Sequence, residues 1–187
     1  MTARPILTFS ALGIAWGAVV FAEIRTDETD FVSPLLGAFR AGVFCAPETV
    51  GRRAAPDTVS GETNIIDQTP PFASYGRVVP AVLGIGFGAE AGIMGDIGTD
   101  GVLMTVTHPP FDGLGATTQS FVTYIGPETD PSITFYQFDH PYELALGDWT
   151  MRASQAGVTL YEVTYTVVPP EALPELAGIC GYQDLLS

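Results

Sequence analysis

Apolar and polar side chains alternate every second residue through much of the chain, most clearly in its last hairpin. Trp149, Met151 and Ala153 share one side of a predicted strand, with Thr150 and Arg152 on the other. Gln155-Ala156-Gly157 supplies a turn. Thr159, Tyr161, Val163, Tyr165 and Val167 then alternate with Leu160, Glu162, Thr164 and Thr166 until Pro169-Pro170 ends the run. A period of two over nine residues marks a half-buried antiparallel strand. The same reading predicts strands over 37–45, 77–88, 102–107, 117–125 and 132–138. The stretch 77–88 is apolar on both faces, as a central strand is, with Pro80 marking a bulge or edge near its start. Only Ala172–Leu176 suggests a short helical turn.

Seven strands with no helix between them predict an all-β fold, an antiparallel sandwich of two sheets. Successive antiparallel strands reverse direction, so odd-numbered strands finish at one pole. Cys45 follows the first strand and Cys180 comes shortly after the seventh, which brings both to that pole and predicts a disulfide between them. Closing a loop of 135 positions is worth roughly 5 kcal/mol at most by chain entropy.

The first 22 residues carry a different pattern. Arg4 is followed by an apolar run from Ile6 to Phe21, and Val20-Phe21-Ala22 places small residues where signal peptidase cuts. No second apolar span is long enough to cross a bilayer. The expected organisation is therefore a signal peptide over 1–22 and an acidic linker over 23–36. A β-sandwich domain follows over 37–170, with a long loop at 46–75, and then a C-terminal tail over 171–187 held by the disulfide. The mature protein is expected in the periplasm or secreted, where cysteines oxidise.

Charge narrows the partners. The chain has 7 Lys plus Arg, all of them arginine, against 21 Asp plus Glu, a formal net charge of −14. Such a surface repels phosphate backbones and anionic headgroups, which argues against nucleic acid and, once the leader is removed, against a membrane. A protein or carbohydrate partner remains.

Candidate chemistry is sparse. The two histidines, His108 and His140, each precede a proline and follow the third and fifth strands, at the cysteine pole. Asp112 lies near the first; Asp139 and Glu143 flank the second. Two imidazoles with carboxylates would suit Zn²⁺ or Cu²⁺, whereas the plainer reading is that each His-Pro ends a strand. Asp96, Asp100 and Gly101 fit part of a calcium loop, but its third acid and its closing glutamate are missing. Phe72-Ala73-Ser74-Tyr75-Gly76 lacks the first glycine of a nucleophile elbow. No glycine-rich loop leads into a helix to cradle a nucleotide. Trp149, Tyr161 and Tyr165 would stack on sugar if exposed; in a hairpin core they instead bury large apolar areas.

The run from Val79 to Pro170 resembles a family of exported bacterial proteins known only as a domain of unknown function. The matching features are the Gly84–Gly88 strand, Thr107-His108-Pro109-Pro110, Leu146-Gly147-Asp148-Trp149-Thr150 and the closing strand from Leu160 to Pro170. The Gly-Asp-Trp-Thr hairpin is also similar to the closing hairpin of bacterial immunoglobulin-like modules. The resemblance implies an immunoglobulin-like sandwich and an exported location, and no activity. The expectation is a binding or structural module with no cofactor and no assigned catalytic residue. The competing expectation is a small metal-binding protein or metal-dependent hydrolase built on His108, His140, Asp139 and Asp112.

Overall fold

A computed structural model describes residues 30–180. The signal peptide expected over 1–22, the first half of the linker (23–29) and the tail beyond Cys180 lie outside the described residues. The strands are β1 (Phe31–Val32), β2 (Leu36–Cys45), β3 (Gly51–Ala54), β4 (Glu62–Ile65), β5 (Val78–Pro80), β6 (Ile85–Ile93), β7 (Thr99–Thr107), β8 (Thr118–Pro127), β9 (Ser132–Gln137), β10 (Gly147–Gln155) and β11 (Val158–Val168). Two 3-10 turns (Pro141–Glu143 and Pro170–Ala172) and one short helix, α1 (Pro174–Ile179), complete them.

Nine strands form one connected sheet in the order β1-β11-β10-β7-β8-β6-β2, with β5 added on β11 and β9 on β6; β3 and β4 pair only with each other. The fold is all-β as expected, but the sheet is mixed and not purely antiparallel. β5 runs parallel to β11, and the end of β8 runs parallel to β6, Gly92 opposite Gly126 and Ile93 opposite Pro127. The second pairing arises because β8 is ten residues long and leaves β7 at its end to lie along β6.

Among the described residues, eleven strands replace the seven expected. The loop expected at 46–75 contains the β3–β4 hairpin, with Arg53 opposite Thr63. Neither of its strands has a buried residue, so neither carries the alternation by which a strand is recognised in sequence. The single strand expected over 77–88 is two. A tight turn, Ile85 N–H to Val82 O with Gly84 at φ +82°, separates β5 from β6. The expected linker supplies β1, whose Phe31 and Val32 pair with Glu162 and Tyr161 of β11.

The last hairpin forms as read. Trp149 faces Tyr165, and Met151 faces Val163. Trp149, Tyr161 and Tyr165 are fully buried, which makes them core and removes them as a sugar platform. Phe87 of β6 joins this cluster at 5.6 Å from Trp149 and 4.8 Å from Tyr165, ring centre to ring centre, so β6 and the last hairpin share one core. The Tyr165 hydroxyl donates to Gly88 O at 2.6 Å. Cys45 and Cys180 are bonded with Cα atoms 5.2 Å apart, which ties the end of α1 to the end of β2.

Candidate functional site

β8 and β9 follow one another in the chain yet do not form a ladder with each other. Ser132 holds them together at their turn, taking the Gly126 N–H on its Oγ at 3.1 Å and donating to Tyr124 O at 3.0 Å. Beyond it β8 follows β7 and β9 follows β6, and a cleft of about 510 Å³ lies along both strands. The β3–β4 hairpin borders it. Polar bonds tether the hairpin: Ser120 N–H to Asp57 O (3.1 Å), Val59 N–H to Gln119 Oε1 (2.8 Å), Arg53 Nη2 to Val122 O (3.0 Å) and Asn64 Nδ2 to Asp139 Oδ2 (2.9 Å).

One chain of hydrogen bonds crosses the cleft floor. Glu143 closes the 3-10 turn after β9, its Oε2 accepting the N–H groups of Asp139 and His140 at 2.7 and 2.8 Å. Its Oε1 accepts the Tyr136 hydroxyl at 2.8 Å. Gln119 Nε2 donates to Tyr136 Oη at 3.1 Å and to His108 Nε2 at 3.4 Å. His108 Nδ1 faces Pro109 O at 2.8 Å. A carbonyl only accepts, so Nδ1 carries the proton and Nε2 is the acceptor for Gln119. Donors and acceptors are thereby matched from His108 to Glu143, as buried polar groups require.

Burial sets the protonation states. It holds the His108 imidazole below its ordinary value, against the opposing effect of the Pro109 carbonyl. The ring is packed between Phe111 and Trp149, 3.9 and 4.7 Å away centre to centre. Burial pushes the Glu143 carboxyl up, while its bonds to Tyr136, His140 and Asp139 pull it back. The Tyr136 hydroxyl is raised far above the ordinary phenol range, by burial first and then by the Glu143 charge. Tyr136 therefore acts as a neutral donor. With both of its oxygens occupied, Glu143 positions Tyr136 and the turn.

The residues singled out in the sequence take separate places. His108 is buried at one end of this network, while His140 is exposed, lines the cleft, gives its backbone N–H to Glu143 and stacks on Tyr142 at 5.1 Å. Asp139 lines the cleft and is held by Asn64 and Gln137. Asp112 is exposed on the turn after Phe111. Asp96 and Asp100 are likewise exposed, with Asp100 already in β7. Among the described residues no three His, Cys, Asp or Glu side chains converge to hold a metal ion. Sequence reasoning missed Gln119 and Tyr136. The available signal was Gln119 and Thr123 in the same phase as Phe121 and Ile125 on β8; on β9 Ile133 and Phe135 occupy the opposite phase from Tyr136 and give no such signal.

The described residues thus define an all-β domain with a hairpin-bordered cleft on a fixed polar floor. The chain belongs to the family described as Domain of unknown function (DUF3859), whose model matches residues 32–167. It is similar to a solved immunoglobulin-like protein from Pseudomonas aeruginosa, at 21% identity over 76% of this chain and 99% of that chain, with a TM-score of 0.47. No curated protein matches the chain.

Proposed function

We propose that this protein is an exported, immunoglobulin-like β-sandwich module that binds its partner in the cleft beneath the β3–β4 hairpin and performs no chemistry there. One observation carries the reading: a cavity of about 510 Å³ is lined by Gln119, Tyr136 and Glu143, each oriented by the next, with His108 behind them holding Gln119. Pre-oriented polar groups in a concave site favour recognition, because little ordering cost remains to be met on binding. Both oxygens of Glu143 are committed to protein donors and His108 is not among the lining residues, so neither is presented to a bound partner as a nucleophile or base. Export is supported by the leader-like residues 1–22 and by the Cys45–Cys180 bond.

The test is an NMR titration of the ¹⁵N-labelled mature protein against panels of neutral oligosaccharides and short peptides. Shifts centred on 133–137, Thr123 and Arg53–Thr63 are expected, with loss of binding in a Thr123→Trp variant that fills the cleft. Shifts centred on the exposed apolar residues Leu103 and Val122, unaffected by that variant, would contradict the reading.

A further inference from the structure

Strand edges invite pairing by other chains, and folded proteins usually blunt them. Among the described residues the nine-stranded sheet does so at each border but one. The border of β11 carries β1 and β5, which are only two and three residues long. That of β2 is met by Ser74, paired with Val43, and by Arg77, which donates to Ala41 O at 2.7 Å. A Cβ at Gly42 would strike Ser74 O, so this covering segment needs the glycine. That of β8 is met by Asp57 O, Arg53 and Ser132.

β9 differs. Phe138 N–H bonds Ile85 O, and the register carries the ladder to β6 through Tyr136, Thr134 and Ser132. The main-chain groups of Ile133, Phe135 and Gln137 therefore point away from β6. They find no described hydrogen-bond partner, and all three residues line the cleft. Two buried side-chain atoms without a partner, Thr63 Oγ1 and Gln137 Oε1, belong to residues lining the same cleft.

We infer that the cleft takes an extended peptide, added as a strand on the open edge of β9. The inference rests on the cleft being the binding seat and names the class of its ligand. Main-chain donors and acceptors repeating at strand spacing match a peptide backbone whatever its side chains. At strand and sheet spacings a paired residue fills roughly 160 Å³, so 510 Å³ admits about three residues, enough to pair with two adjacent outward-facing positions of the edge that runs from Ile133 to Gln137. Glu62, Asp139 and Glu143 also line the cleft, so charge favours an acidic side chain or terminal carboxylate only beside Arg53. Arg40, Arg52, Arg77 and Arg152 are each paired with a carboxylate, whereas Arg53, which lines the cleft, bonds only a carbonyl among the described residues.

The experiment selects heptapeptides from a random phage-displayed library on the disulfide-bonded full chain and measures the best binder by calorimetry. Methylating its alternate main-chain nitrogens in the register facing β9 is expected to weaken binding at least about tenfold, one such hydrogen bond being worth about that much. Methylation in the other register should change affinity little. Phe135→Pro removes an outward N–H while sparing the ladder to β6 and should weaken binding comparably; if that variant fails to fold, the methylated peptides decide on the native protein. Equal tolerance of both methylation patterns would overturn the inference. Oligosaccharides shifting the cleft resonances where no peptide does would overturn the peptide and leave the cleft. A cleft that neither class perturbs would end both readings.

Discussion

Tyr136 donates its hydroxyl proton to Glu143 across 2.8 Å while accepting from Gln119, so one phenol holds a strand, a turn and the neighbouring strand in a single arrangement. Removing that oxygen leaves a buried carboxylate oxygen and a buried amide N–H each one bond short. Tyr136→Phe is expected to cost about 1–3 kcal/mol, the penalty for stranding such groups. Urea denaturation measures it. In a double-mutant cycle with Glu143→Ala the two effects should fall short of additivity by more than about 0.5 kcal/mol. Additive losses would mean that the pair is not coupled.

His108 makes stability depend on pH. Its folded pKa lies below the ordinary value of 6.5, so between those two values the unfolded chain takes up a proton that the folded chain refuses. Stability therefore falls as pH drops through about 6.5. Glu143 acts in the opposite sense at lower pH. Its folded pKa lies above 4.5, so acidification through that raised value favours the folded state. Denaturation midpoints at pH 7.5 and 5.5 should separate further in the native protein than in His108→Phe. Equal separations would show that His108 does not titrate differently on folding.

Much of the fold was legible because a strand with one buried face writes alternation into sequence. β10 and β11 are the clearest case, and Trp149, Tyr161 and Tyr165 lie where the pattern puts them. The Cys45–Cys180 bond was also legible, because two cysteines allow one pairing, although the count of seven antiparallel strands behind the parity argument did not hold. The cleft did not show itself, for physical reasons. Its hairpin, β3–β4, has no buried residue in either strand and is held by hydrogen bonds at Asp57, Val59 and Arg53, which leave no period. The floor joins Gln119 to Tyr136 and Glu143 across separations that no local motif encodes. The histidines drew attention because the chain has only two; one packs between aromatic rings at the end of the network, and the other gives Glu143 a backbone N–H at the cleft.

The disulfide closes a loop of 135 residues and fastens α1, whose one buried side chain, Ala177, gives it little hold of its own. The Cys45→Ala, Cys180→Ala double variant is expected to lose about 2–5 kcal/mol. Its denaturation midpoint should match that of the native protein in reducing agent. An unchanged midpoint under reduction would show that packing alone holds the tail.

The open edge of β9 is tested most directly by residue-resolved amide exchange of the free protein. The N–H groups of Thr134, Tyr136 and Phe138, bonded into β6, are expected to exchange slowly. Those of Ile133, Phe135 and Gln137 should exchange orders of magnitude faster, giving a strict alternation along one strand. Uniform protection from 132 to 138 would mean that this border is already occupied, and the account of the cleft as an unfilled strand position would fail.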